Sequence, residues 1–202
     1  MDRAYVFDVL SIDIDSNILE ESLSEQCLSI VNKYKDETDR RNSLVAWYLL
    51  DKYLKKDFYI DLKSKVIKFN EYNKPYISDI YFNISHSYNY VAIIISKDSC
   101  GIDIEYVDNK KMYKDYFIKS ILSKSEYEAY QKNPTNDFII ERWTMKEAYF
   151  KRCNTGIIKS RLNEEIDYEA KSYPLYDKAG NKYYLSISPK DLKVKKCQVW
   201  LE

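Results

Sequence analysis

Residues 100–108 read CGIDIEYVD, and the alternation of apolar and acidic side chains within them predicts a short β-strand. Ile102 and Ile104 would face one side of this strand, because successive side chains point to opposite faces. Asp103 and Glu105 would share the other face, where their carboxylates repel each other. Partial burial adds a desolvation cost, so the pattern requires either a positive group between the two carboxylates or a proton on one of them.

The segments around this strand alternate between the helical and the extended hydrophobic period. Further strands are predicted for AYVFDVLSIDI (4–14), VIKFNEY (66–72), YFNIS (81–85), YVAIIIS (90–96), EIDYEA (165–170), KYYLSIS (182–188) and CQVWLE (197–202), with a hairpin turn at 179–181. Helices are predicted for ILEESLSEQCLSIVNKY (18–34), DETDRRNSLVAWYLLDKYLKK (36–56), MYKDYFIKSIL (112–122), KSEYEAYQKN (124–133) and DFIIERWTMKEAYFKRC (137–153). This mixture, repeated along the chain, predicts an α+β fold with two similar halves that meet near residue 100. Gly101 and Gly156 are expected to have backbone roles, because the chain has only 3 glycines.

Composition excludes several classes of function. The 202 residues are long enough for one sizeable core or two small subdomains, and 32 basic residues balance 32 acidic ones. No overall field therefore draws the protein to nucleic acid or to a membrane surface, and no apolar run approaches the roughly 20 residues that span a bilayer. The N-terminal sequence is too polar for a signal peptide, and Cys27, Cys100, Cys153 and Cys197 form no CxxC pair. We expect a cytoplasmic protein with reduced thiols.

The segment ERWTMKEAYFK, residues 141–151, places Trp143, Glu147 and Lys151 on one stripe of a helix, with Lys146 on the adjoining side. A Glu and a Lys four residues apart are by themselves an ordinary surface pair worth about 0.3 to 0.5 kcal/mol. Together with the two carboxylates upstream, however, Glu147 completes a hard oxygen site of the kind that suits Mg²⁺.

His86 is the only histidine of the chain and lies in YFNISHSYNY, which we interpret as a polar turn between two strands. A lone histidine is more often structural than catalytic. Here Ser85 and Ser87 flank it, and these three hydrogen-bonding side chains could receive a phosphate group.

Taken in order, FNISHS, GIDIE and WTMKEAYFK resemble the signatures of the Sfp-type 4'-phosphopantetheinyl transferases. The resemblance runs from about Asp39 to Gly156, and EYNKPYI and LSKSEYEAY support it. Enzymes of this family transfer the phosphopantetheine arm of coenzyme A to a serine of an acyl or peptidyl carrier protein and release adenosine 3',5'-bisphosphate. The resemblance implies subdomains 1–100 and 101–202 related by a pseudo-twofold, with the active site at their junction, in a monomer. Fatty acid, polyketide and nonribosomal peptide carriers all remain open.

The resemblance also implies roles for individual residues. Asp103, Glu105 and Glu147 would hold Mg²⁺, and Glu147 would be the general base, with Glu126 as the other candidate. Lys151 and Lys146 would neutralise phosphate oxygens or tune the pKa of Glu147. Coenzyme A would contact Lys74, Ser85, His86 and Ser43, with Arg40 or Arg41, and His86 would lie near the 3'-phosphate.

This sequence departs from the family at Asn42, where an arginine is usual, and at Asn73 and Asn154, where glycines are usual. Basic residues upstream are also missing, and Lys33, Lys35 and the two arginines at 40 and 41 are the available replacements. The residues that would bind the 3'-phosphate are therefore the least determined part of the predicted site.

An acidic carrier protein would need a basic, partly apolar docking surface. Residues 109–124 offer five lysines around aromatic and aliphatic side chains, namely Lys110, Lys111, Lys114, Lys119 and Lys124 around Tyr116, Phe117, Ile121 and Leu122. A solvated amphipathic helix explains the same pattern equally well.

Two alternatives to an enzyme remain at this stage. One is a non-catalytic relative that binds coenzyme A or a carrier protein. The other is a globular protein whose carboxylates form structural ion pairs, which would bind neither Mg²⁺ nor coenzyme A.

Overall fold

A computed structural model describes residues 3–11, 15–78, 80–192 and 194–196 of the chain. Its strands are β1 (Arg3–Asp8), β2 (Lys68–Phe69), β3 (Pro75–Tyr76), β4 (Tyr81–Ser87), β5 (Tyr90–Ser96), β6 (Gly101–Tyr106), β7 (Lys171–Tyr176), β8 (Lys182–Ser188) and β9 (Val194–Lys196). Its α-helices are α1 (Ser16–Ser22), α2 (Glu25–Val31), α3 (Glu37–Phe58), α4 (Asp115–Ile121), α5 (Lys124–Lys132) and α6 (Asn136–Cys153). The predicted α+β class is confirmed. Within the described ranges, no helix is both long and apolar enough to cross a membrane.

The strands form a sheet of order β4-β5-β1-β9, a sheet of order β6-β8-β7 and the short β2-β3 hairpin. All neighbours are antiparallel except β1 and β9. Helix α3 packs on β4 and β5, and α6 packs on β6 and β8, so each half combines one long helix with one antiparallel sheet. The pseudo-twofold relation and the boundary at residue 100 stay predictions.

The two halves share a core, and the second half contributes a strand to the sheet of the first. The other faces of the two sheets pack against each other, and β9, which follows the second sheet in the chain, pairs with β1 of the first. Buried side chains from both sheets meet in one cluster, which includes Ala4, Val6, Ala92, Ile94, Ile102, Ile104, Leu185 and Ile187.

Helix α6 lies unusually close to β6. A Cβ atom built on Gly101 would lie 1.9 Å from the Ala148 carbonyl oxygen and 2.6 Å from the Arg152 backbone nitrogen. Only glycine leaves room for this approach, which confirms the backbone role that we expected for Gly101. The contact brings the carboxylates of β6 next to the last turns of α6.

Strands β4 and β6 are the facing edges of the two sheets, and side chains rather than backbone carbonyls connect them. Alternate polar side chains of β4 accept hydrogen bonds from alternate backbone N–H groups of β6. The three bonds run from the Ile102 N–H to Asn83 Oδ1 (3.0 Å), from the Ile104 N–H to Ser85 Oγ (3.3 Å) and from the Tyr106 N–H to Ser87 Oγ (3.0 Å).

Several predicted elements were wrong in extent or place. The helix predicted for 18–34 is two helices, because the Ser24 side chain caps α2 by accepting from the Cys27 N–H. VIKFNEY is extended only at Lys68–Phe69. EIDYEA is not a strand, and the neighbouring β7 forms despite Pro174 because it is an edge strand. CQVWLE lies outside the described residues, whereas the hairpin turn at 179–181 is confirmed between β7 and β8.

Candidate active site

A cavity of about 710 Å³ opens where the edges of β4 and β6 meet the C-terminal half of α6. It also touches α3 and the β2-β3 hairpin, so elements from both halves of the chain form its wall. The sequence-predicted residues that line it are Ser43, Ser85, His86, Asp103, Glu105, Glu147 and Lys151.

The positive group that the strand pattern requires is the ammonium of Lys151. Its Nζ lies 2.6 Å from Asp103 Oδ1 and 3.6 Å from Glu147 Oε2, because residues 147 and 151 are neighbours along one stripe of α6. Burial opposes the charged form of Lys151, but the attraction of these carboxylates raises its pKa. Asp103 is only 2% exposed, so this pair operates largely out of water.

A proton on one carboxylate is the second way to relieve the repulsion between the acidic groups, and the raised pKa values of Glu105 and Glu147 favour it. Burial, followed by repulsion from Asp103, raises the pKa of Glu105 to about 7 and that of Glu147 to about 8. Ser87 Oγ donates a hydrogen bond to Glu105 Oε2 at 3.0 Å and partly offsets the shift. The site therefore holds three acidic side chains and one lysine, and a further cation would favour the ionised forms of Glu105 and Glu147.

Asp103 has one carboxylate oxygen that can still bind a further ligand. Its Oδ1 accepts hydrogen bonds from Ser85 Oγ at 2.8 Å and from Lys151, whereas its buried Oδ2 has no hydrogen-bond partner among the residues that the structure describes. Among the described residues, no three acidic, histidine or cysteine side chains are gathered closely enough to hold a metal ion by themselves. An unsatisfied carboxylate oxygen among neighbouring carboxylates nevertheless fits a hard divalent cation that takes other ligands from water or substrate.

Sequence comparison agrees with this geometry. The sequence model of the 4'-phosphopantetheinyl transferase superfamily matches residues 99–193. The second half of the chain is thus similar in sequence to this superfamily. The 4'-phosphopantetheinyl transferase gsp of Aneurinibacillus migulanus is 32% identical over 147 residues, which are 70% of this chain and 60% of that protein. The 4'-phosphopantetheinyl transferase Sfp of Bacillus subtilis is 28% identical over 153 residues, which cover 69% of this chain and 67% of Sfp. A holo-[acyl-carrier-protein] synthase of Mycoplasmopsis pulmonis is 36% identical over 64 residues, 31% of this chain and 59% of that protein.

The structure does not bring Lys146 or Glu126 to the cavity. Lys146 is fully buried on another side of α6, where its Nζ donates to Glu126 Oε2 (2.5 Å), to the Ile121 carbonyl (2.6 Å) and to the Leu162 carbonyl (2.8 Å). Glu126 also accepts from the Ser123 N–H, which closes the capping box of α5. These contacts join α4, α5 and α6, so both residues have a structural task away from the carboxylates.

Three of the predicted coenzyme A contacts also lie outside the cavity lining. Arg40 pairs with Glu20 at 2.8 Å, and Arg41 makes a long contact of 3.4 Å with the Val9 carbonyl. Lys74 donates to oxygens at the end of α6.

His86 does line the cavity, but it lies within β4, opposite Val91 of β5, and not in the turn that we expected. The hairpin turn begins only at Tyr88, whose φ of 51° lies in the left-handed region. Burial lowers the pKa of His86, and its Nδ1 lies 3.9 Å from Asp39 Oδ1. The neutral ring can accept a proton or a hydrogen bond from a ligand.

The departures from the family pattern have conformational explanations. Asn73 and Asn154 have φ angles of 60° and 58°, in the left-handed region that glycine adopts freely and that asparagine tolerates better than most other residues. The backbone geometry of these two glycine positions is therefore retained. Asn42 is buried, and its Nδ2 donates to the Tyr88 carbonyl at 2.8 Å, which fixes the turn after β4.

Sequence reasoning missed part of the cavity wall, namely Tyr34, Trp47 and Phe69. It also missed a second cavity of about 460 Å³, lined by Glu105 and by Tyr106, Lys111, Tyr113, Phe117 and Trp143 among others. Glu105 lines both cavities. The only sequence signal for the second cavity was the cluster of aromatic and basic residues at 109–124.

Proposed function

We propose that this protein transfers the 4'-phosphopantetheine arm of coenzyme A to a serine of an apo acyl or peptidyl carrier protein and releases adenosine 3',5'-bisphosphate. The observation that carries the proposal is the group formed by buried Asp103 and partly buried Glu147 and Lys151 at the wall of a large cavity. The match of residues 99–193 to the superfamily model and the similarity to named 4'-phosphopantetheinyl transferases support the choice of reaction.

The larger cavity is suited to the anionic part of coenzyme A. Lys33, His86 and Lys151 line it with groups that carry or accept positive charge, and the hydroxyls of Ser43 and Ser85 offer further hydrogen bonds. The aromatic wall of the second cavity, on the other side of Glu105, suits the less polar arm.

Asp103, Glu105 and Glu147 would hold Mg²⁺, which when bound would neutralise charge on the pyrophosphate oxygens. Binding of a cation would favour the ionised forms of Glu105 and Glu147. Glu147 would then accept the proton of the carrier serine hydroxyl, because its carboxylate lines the cavity next to the Lys151 ammonium. Lys151 would donate hydrogen bonds to the phosphate oxygens and stabilise the negative charge that develops on them.

The carrier protein would meet the surface around α4, next to the second cavity. Met112 is 93% exposed and Tyr116 is 71% exposed, with Lys110, Lys111 and Lys114 beside them. An acidic partner would be attracted here, and higher ionic strength would weaken its binding without altering the carboxylate site. A cytoplasmic location and a monomeric state stay predictions.

The test is intact-protein mass spectrometry of several apo carrier proteins incubated with this protein, coenzyme A and Mg²⁺, with EDTA in the control. A mass gain of one phosphopantetheine that is absent with EDTA would support both the reaction and its metal requirement. A gain that persists with EDTA would remove the metal from the proposal. No gain with carriers of all three pathway types, together with retained binding of coenzyme A, would favour the non-catalytic alternative.

A further inference from the structure

The turn that joins β2 to β3, residues 70–74, contacts the end of α6 through the ammonium of Lys74. Its Nζ donates to the Lys151 carbonyl at 2.6 Å and to Asn154 Oδ1 at 2.7 Å, and it lies 3.4 Å from the Cys100 carbonyl. An ammonium has three N–H donors, so these three oxygens account for all of them. Lys74 thus connects the hairpin, the end of α6 and the residue before β6.

Two further contacts fix the same turn to the same segment. Asn70 Nδ2 donates to the Asn154 carbonyl at 3.3 Å, and the Tyr72 ring lies against Gly156, where an added Cβ would be 3.0 Å from Tyr72 Cδ1. The turn is also braced internally, because Asn70 Oδ1 accepts from the Tyr72 and Lys74 N–H groups, each at 2.9 Å. It therefore acts on the helix end as a braced unit.

Both sides of this contact belong to the candidate active site. Asn73, at the tip of the turn, lines the larger cavity together with Phe69 and Pro75 on either side of it. The last turn of α6 carries Lys151, whose ammonium contacts Asp103. The last carbonyls of a helix accept no hydrogen bond from an N–H group of the same helix, and a nearby cation stabilises them. The carbonyl that Lys74 binds is that of Lys151 itself.

We infer that Lys74 is a positioning residue, which holds the backbone of Lys151 so that the Lys151 ammonium stays against Asp103, and that it does not itself bind coenzyme A. The inference rests on the proposed function, in which Lys151 acts on the phosphate oxygens. It differs from the direct coenzyme A contact that the family resemblance implies for this lysine.

The test compares Lys74→Met with two matched lysine variants in steady-state transfer assays. Lys74→Met should lower kcat about tenfold or more, as a small misplacement of a reacting group does, while the KM for coenzyme A changes less than about threefold. Lys33→Met removes a lysine that lines the cavity and should mainly raise this KM. Lys178→Met removes an exposed lysine in the β7-β8 turn that lines neither cavity, and it should change neither constant. A raised KM with unchanged kcat in Lys74→Met would overturn the inference.

A double-mutant cycle separates action through Lys151 from direct contact with substrate. Once Lys151→Arg has disturbed the ammonium, adding Lys74→Met should lower the single-turnover rate by less than about threefold further. Losses that multiply would mean that Lys74 acts independently, and the inference would fail.

If the wild-type protein transfers nothing, only the proposed function is refuted. Amide hydrogen exchange, measured without substrate, then still tests the role of Lys74. Lys74→Met should speed amide exchange at residues 152–156, and unchanged exchange there would refute the positioning role of Lys74. Should Lys74→Met not fold, Asn154→Gly replaces it. Glycine keeps the left-handed backbone and removes the Oδ1 acceptor, so kcat should fall in the same direction but by less. An unchanged kcat would overturn the inference.

Discussion

Replacing Gly101 by alanine should break the close contact between α6 and β6. The new Cβ would lie 1.9 Å from the Ala148 carbonyl oxygen and 2.6 Å from the Arg152 nitrogen, whereas real Cβ atoms essentially never come closer than 3.0 Å. The obstructing atoms belong to the backbone of α6, so no side-chain rotation relieves the overlap. The helix must shift by about 1 Å, or the strand must bend.

The size of the effect follows from this overlap. Overpacking a well-filled site costs typically about 1 to 3 kcal/mol, and a backbone obstruction places Gly101→Ala at the upper end of that range. Alanine also restricts the unfolded chain, which returns about 0.5 kcal/mol. The expected net loss of unfolding free energy is therefore about 2 to 3 kcal/mol. A shift of about 1 Å in α6 would also misplace Glu147 and Lys151 and should lower kcat about 100-fold.

Urea unfolding of wild type, Gly101→Ala and Gly180→Ala tests the reasoning, with transfer assays on the same samples. Gly180 has a φ of 83°, but no atom of the described residues lies within 4 Å of an added Cβ. The loss of stability in Gly180→Ala therefore measures left-handed backbone strain without a clash, about 1 kcal/mol. If Gly101→Ala proved no less stable than Gly180→Ala, the described approach of helix and strand would be wrong.

The remaining predictions concern the carboxylates and the histidine. Glu147→Gln should keep the circular dichroism spectrum, should keep the melting temperature near pH 5, where Glu147 is protonated, and should abolish transfer. A variant that kept most of its rate would exclude Glu147 as the base. His86→Ala should raise the KM for coenzyme A far more than that for dephospho-coenzyme A, and equal effects would place His86 away from the 3'-phosphate. Unfolded glutamates ionise near 4.5, whereas folded Glu105 and Glu147 do so at about 7 and 8, so the folded state binds more protons between these values. The unfolding free energy without metal should thus fall as pH rises from about 5 to 8, and Glu147→Gln should flatten that slope in a series of melting temperatures.

Features with a local period were predictable from the sequence. The alternation in CGIDIEYVD placed Asp103 and Glu105 on one side of a strand, and the stripe on α6 placed Glu147 next to Lys151. Both follow from fixed geometric repeats of strand and helix. The same repeats predicted the fold class.

Features that depend on distant partners were not predictable in this way. Lys146 is next to Glu147 in the sequence, and Lys74 lies in a segment that resembles a family motif. Their ammonium groups nevertheless donate hydrogen bonds to backbone carbonyls, whose positions no side-chain pattern encodes. No strand was predicted across Pro174, which β7 tolerates because it is an edge strand, and a single cap at Ser24 divides a continuous apolar stripe into two helices.

The hydrogen bonds between β4 and β6 have a consequence for how the two halves can assemble. Since every second residue of β4 supplies an acceptor, a slip of one residue would set Ile84 and His86 against the amides of β6 and leave those amides unsatisfied. Only one alignment satisfies all three amides, so the chemistry of three small side chains dictates the pairing. The same bonds also cover the outer amides of β6, which would otherwise offer another chain a free edge for aggregation.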